Sequence, residues 1–102
     1  MNATTTTAGE PIEIVTRPES IEHHGNGTTT GIVYWKIGEV SFPDNAWNDF
    51  IVVIMTWWLK SIGQLVKRST TSETLRFMDG PFTVICSTQE YQVECQMVDN
   101  RK

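Results

Sequence analysis

The stretch from Ala46 to Lys67 constrains this chain more than any other, with about 22 residues, no proline and a single glycine, Gly63. Within it Trp47, Ile51, Ile54, Trp58, Ile62 and Leu65 recur at steps of three and four, the period that sets side chains along one face of an α-helix. Phe50-Ile51-Val52-Val53-Ile54 is β-branched enough to suit a buried strand. Length decides for a helix over 46–67. Asp44 or Asn45, after Phe42-Pro43, is placed to accept from the first-turn amides, and Lys67-Arg68 suits the negative end. Lys60, Gln64 and Lys67 share a polar face, whereas Phe50, Val52, Val53, Met55 and Trp57 fall outside the main stripe. The first half of the helix is therefore apolar almost all round, and a loop or a partner is expected to cover it.

Around this stretch, shorter runs follow the two-residue period of strands. Pro11 to Arg17 sets Ile12 and Ile14 on one face, and Gly31 to Phe42 opposes Val33, Trp35 and Ile37 to Ile32, Tyr34 and Lys36. The apolar phase slips by one at Val40 and Phe42, and Gly38-Glu39 is a natural turn or bulge to absorb the slip. Thr74 to Asp79 and Phe82 to Ser87 read as strands joined at Asp79-Gly80-Pro81. Tyr91 to Asp99 alternates Tyr91, Val93, Cys95 and Met97 against Gln92, Glu94 and Gln96, a strand with one wet face. Pro18 to Thr30 is polar and Gly/Thr-rich and reads as a loop carrying His23 and His24. The expected architecture is α+β, an antiparallel β-sheet in the order β-β-α-β-β-β with one long helix packed on one face.

A length of 102 residues holds one domain. Residues 11–102 are assigned to it, and residues 1–10 to a disordered tail, because Met1 to Gly9 is Thr-rich without charge or apolar period. That tract lacks the basic start and apolar run of a secretory signal. The longest apolar run, Phe50 to Leu59, falls short of the about 20 residues that cross a bilayer. A cytoplasmic location without membrane contact is expected. Lys+Arg number 8 against 12 Asp+Glu, a net charge of −4, which argues against nucleic acid as a partner.

The reactive residues form no expected catalytic set. His23 and His24 are adjacent, so on extended backbone they point to opposite sides and make a poor pair of metal ligands. Cys86 and Cys95 sit in apolar alternation rather than in the exposed, electropositive setting of a catalytic thiolate, and neither has CxxC spacing. If Thr88 to Glu90 turn the last hairpin, the two cysteines stand on neighbouring strands, opposite or one step diagonal, as buried thiols or as a disulfide. No phosphate loop, dinucleotide fingerprint or zinc-protease helix occurs. No enzyme activity, cofactor or metal is expected.

Four tryptophans are the unusual count, and three of them fall on the expected helix. Trp57 is turned about 100° from Trp58 of the core stripe and marks an outward surface with Phe50 and Val53. From Phe42 to Phe82 the chain carries FPDNAWNDF, WWL and LRFMDGPF. This pattern resembles small bacterial proteins of the polymorphic-toxin immunity type, over about 40% of the chain. The resemblance implies a small stoichiometric binding protein and brings no catalytic residue. The expected function is therefore non-enzymatic protein–protein binding, with a basic toxin domain as the partner. Trp57 is the expected anchor, Phe50 and Val53 its apolar neighbours, and Glu39, Asp44 and Asp49, with Glu90 and Glu94, the acidic contacts. Two alternatives stand beside it. One is a ligand-binding or enzymatic pocket between helix and sheet lined by Trp35, Trp47 and Trp58; the other is a homodimer through the outer helix face.

Overall fold

Among the residues that the computed structural model describes, 2–6, 12–89 and 92–101, eight strands and one helix succeed one another. They are β1 (Asn2–Thr6), β2 (Ile12–His23), β3 (Thr29–Ile37), β4 (Val40–Phe42), β5 (Asn48–Asp49), α1 (Ile51–Val66), β6 (Ser72–Arg76), β7 (Phe82–Gln89) and β8 (Gln92–Asp99). The fold is α+β and every strand pairing is antiparallel. The strands form two sheets rather than the single one expected. One has the order β1-β8-β7-β6; in the other, β3 carries β2 along one edge and β4 then β5 along the opposite edge.

The helix begins at Ile51 instead of Ala46. The preceding residues are claimed by β3: Val33 N–H donates to Trp47 C=O at 2.9 Å, and Asn48-Asp49 pair with Gly31-Ile32. Asp44, expected to cap the helix, instead accepts Ala46 N–H at 2.8 Å in a local turn after the cis Phe42–Pro43 bond. No side chain caps α1: its N-cap residue is Phe50, whose own N–H donates to Asp49 Oδ1 at 2.7 Å. At the other end Arg68 takes a left-handed φ of 59°, and the Lys67, Arg68 and Ser69 amides donate back to Gly63, Leu65 and Gln64 carbonyls.

Two segments expected to lack structure are strands. Of the expected tail 1–10, Asn2–Thr6 pairs with Asp99 through Cys95 of β8 along an otherwise open sheet edge, and the rest lies outside the described residues. The loop expected over Pro18 to Thr30 is largely hairpin, since β2 continues to His23 opposite Thr29. Its register shifts between Arg17 and Glu22, around Pro18, which has no N–H to give. Ser20 makes up the deficit: its hydroxyl donates to Arg17 C=O at 2.6 Å and accepts Ile32 N–H at 2.8 Å. His23 and His24 are exposed, each bonded to a threonine hydroxyl across the hairpin, Thr29 and Thr30. The turn expected at Gly38-Glu39 is present between β3 and β4, with Gly38 at a positive φ of 58°.

One apolar core joins all three layers. Ile51, Ile54, Trp58 and Leu65 of α1 meet Val33, Trp35 and Ile37 of β3, and Leu75, Val84, Cys86, Cys95 and Met97 of the other sheet. Aromatic edges bridge the layers. Trp58 stands edge-on to Trp35 at 5.9 Å and to Phe77 at 5.0 Å, and Phe42 meets Phe77 and Phe82 in the same way.

Candidate functional site

The best-connected polar group is the carboxylate of Asp49, which is 1% exposed. Its Oδ2 accepts Trp47 Nε1–H at 2.8 Å and the Met78 and Asp79 N–H groups at 3.2 Å each, while Oδ1 takes Phe50 N–H. A carboxylate withdrawn from water needs such donors, because its lost hydration is otherwise uncompensated. The Trp47 ring lies edge-on to Phe77 and Phe82 and packs over Gly80, where an added Cβ would stand 2.8 Å from its Cη2. The FPDNAWNDF and FMDGPF segments thus form one fastening between the start of α1 and the β6–β7 turn. Asp49 and Trp47 are committed to that fastening. Asp49 is buried within it, which corrects its expected place among acidic surface contacts.

The other expected contacts are distributed unevenly. Val53 and Trp57 are exposed one helical turn apart on the same flank of α1, with Trp57 45% exposed, and Phe50 is half-buried. Glu39 and Asp44 are exposed, in the β3–β4 turn and in the segment before β5. Glu94 is half-buried on β8, and Glu90 lies outside the described residues. The opposite flank of α1 carries an apolar row absent from the expected set. Val52, Leu59 and Val66 are 60%, 64% and 76% exposed. At seven-residue spacing each successor is turned by only about 20° in a helix of 3.6 residues per turn, so the three form one stripe. That spacing was present in the sequence; the core stripe beside it drew the stronger signal.

Next to the lower end of this row a cavity of about 340 Å³ opens between the sheets. Ile12, Ile14 and Trp35 line it from one sheet, and Ile62, Leu65 and Val66 from α1. Cys86, Val93 and Cys95 supply the wall from β7 and β8, and among the described residues no charged side chain lines it. Of the three tryptophans expected around a pocket, Trp35 is at this one. Trp47 belongs to the Asp49 fastening, and Trp58 is core, its Nε1–H donating to Arg76 C=O at 2.8 Å. The Trp35 Nε1 is buried and has no hydrogen-bond partner among the described residues.

Cys86 and Cys95 are directly opposite in the β7–β8 register, both are buried, and their sulfurs are 3.3 Å apart as thiols. The hydrogen bond they share acts oppositely on the two. It holds Cys95 below the usual thiol range, because a Cys95 thiolate accepts from the Cys86 S–H. The same bond, then burial, pushes Cys86 up. Among the described residues no three His, Cys, Asp or Glu side chains converge as metal ligands, and no helix is long and apolar enough to cross a membrane. Comparison with protein-family models, curated proteins and solved structures returns no match.

Proposed function

We propose that this protein acts by binding another protein through the exposed apolar sides of α1, without catalysing a reaction. The observation that carries the reading is the row Val52, Leu59 and Val66, three large aliphatic side chains left mostly in water along one helix flank. Trp57 and Val53 add a second apolar strip on the other flank. Exposed apolar stripes of this kind mark association surfaces, and an aromatic among them is the residue type that anchors interfaces. The net charge of −4 favours a basic partner through faster encounter. The resemblance of the Phe42–Phe82 pattern to immunity-type proteins gives the finer reading, an inhibitor held stoichiometrically on a toxin domain in the cytoplasm.

The test is capture with the wild-type chain and with two surface variants, Leu59→Asp and Trp57→Glu. Wild type should retain one dominant basic protein, and at least one variant should weaken its retention tenfold or more while keeping a native circular-dichroism spectrum. No retained protein at any salt concentration, or equal retention by all three chains, would sink the proposal. The seven-residue spacing of the row also favours a second copy of the chain as occupant. Sedimentation separates the two: a dimer that Trp57→Glu or Leu59→Asp converts to monomer assigns the face to self-association.

A further inference from the structure

The cysteine pair and the cavity beside it have a chemistry of their own. Directly opposed residues of an antiparallel pair hold their Cα atoms about 4.5–5.5 Å apart, within the about 4.4–6.8 Å that disulfides span. Cys86 and Cys95 occupy such a pair, so joining their sulfurs from 3.3 Å requires no slip of β7 against β8. The cavity supplies the route. Ile12, Val66 and Val93 line it and are also exposed, which sets its mouth at these residues. Among the described residues its walls are aliphatic apart from Trp35 and the thiols, and these offer a charged oxidant nothing to replace its lost hydration. An uncharged one of modest size would not.

We propose that this cavity is the reaction site of a dithiol couple, in which an uncharged organic hydroperoxide oxidises Cys86 and Cys95 to a cross-strand disulfide. Cys86 and Cys95 both line the cavity and share one hydrogen bond, so either can react first with the same balance. With Cys95 first, its sulfur attacks the terminal peroxide oxygen, the O–O bond breaks, and the alkoxide leaves and takes the released proton as alcohol. Cys95 is then a sulfenic acid. The Cys86 sulfur attacks it, the S–O bond breaks, and the departing hydroxide takes the Cys86 proton as water. Two thiols lose two electrons, and the hydroperoxide becomes one alcohol and one water. This reaction and the protein-binding reading are independent of each other, although Val66 borders both surfaces.

The test uses the full reduced chain with cumene hydroperoxide as probe. The expected result is one equivalent consumed, one equivalent of cumyl alcohol formed, and a protein lighter by two hydrogens with Cys86 linked to Cys95 in peptide maps. Glutathione disulfide, larger and charged, should oxidise the pair at least tenfold more slowly. Each rate is referred to the same oxidant's rate with the chain unfolded in urea; transient global unfolding would then slow both oxidants by the same factor, so the ratio isolates the cavity. Val93→Glu, a change at a half-exposed rim position, should slow cumene hydroperoxide about tenfold without unfolding the chain. Thiols that survive a large excess of cumene hydroperoxide would overturn the proposal. So would glutathione disulfide reacting as fast, or Val93→Glu leaving the rate unchanged in a folded chain.

Discussion

Asp49 is one side chain on which four donors converge: the Phe50 amide at the helix start, the Trp47 indole N–H and the amides of Met78 and Asp79. Asp49→Asn keeps the shape but replaces one acceptor oxygen by an NH₂ group that faces donors. We expect a loss of about 2–4 kcal/mol, because buried donors are left unmatched at low local dielectric. The check is the midpoint of urea unfolding followed by tryptophan fluorescence. Trp47→Phe removes one of the four hydrogen bonds and keeps an aromatic over Gly80, so its expected loss is smaller, about 1–2 kcal/mol. Equal losses from the two would place the stability in ring packing instead of the carboxylate. The sequence placed Asp49 correctly near the helix start, yet read it as a surface contact. Two of its donors lie 29 and 30 residues further along, and no local pattern carries that information.

At the scale of elements, period was a good guide to type and a poor one to extent. The helical stripe named Ile51, Ile54, Trp58 and Leu65, which are the buried residues of α1. It also recruited Trp47, because position 47 fits a four-residue step while its carbonyl is in fact taken by Val33. Strand alternation located the β7–β8 hairpin and left the two cysteines opposite or one step diagonal; they are opposite, and β7 runs on to Gln89, paired with Gln92, beyond the turn expected to start at Thr88. It could not find β1 or the outer half of β2, where polar residues pair by backbone without an apolar face. Gly63 tests the helix itself. It lies in the last turns of α1, and a Cβ built there meets nothing within 4 Å. Gly63→Ala should therefore stabilise the protein by about 0.5–1 kcal/mol, by narrowing the unfolded ensemble at a site where alanine fits. A rise in thermal midpoint checks this. A fall would show that alanine does not fit there.

For the whole molecule, the decisive feature is that neither sheet has a core of its own. Each presents one apolar face, and α1 with the aromatic edges closes both into a single cluster. Trp58 is the side chain most exposed to this argument. It stands edge-on to Trp35 of one sheet, edge-on to Phe77 beside the other, and donates its indole N–H to Arg76 of β6. Its truncation in Trp58→Ala should cost about 3–5 kcal/mol, the range for losing a large buried aromatic, against the about 5–15 kcal/mol that holds a typical domain together. The mode of failure matters more than the size. If the layers share one core, far-UV circular dichroism and tryptophan fluorescence should report the same urea midpoint in wild type and variant, with both probes displaced together. If the β2–β5 sheet and the β1-β8-β7-β6 sheet can stand apart, the variant will show two transitions. The Asp49 bonds to Met78 and Asp79, which join β5 of one sheet to the β6–β7 turn of the other, would then be lost in the first transition.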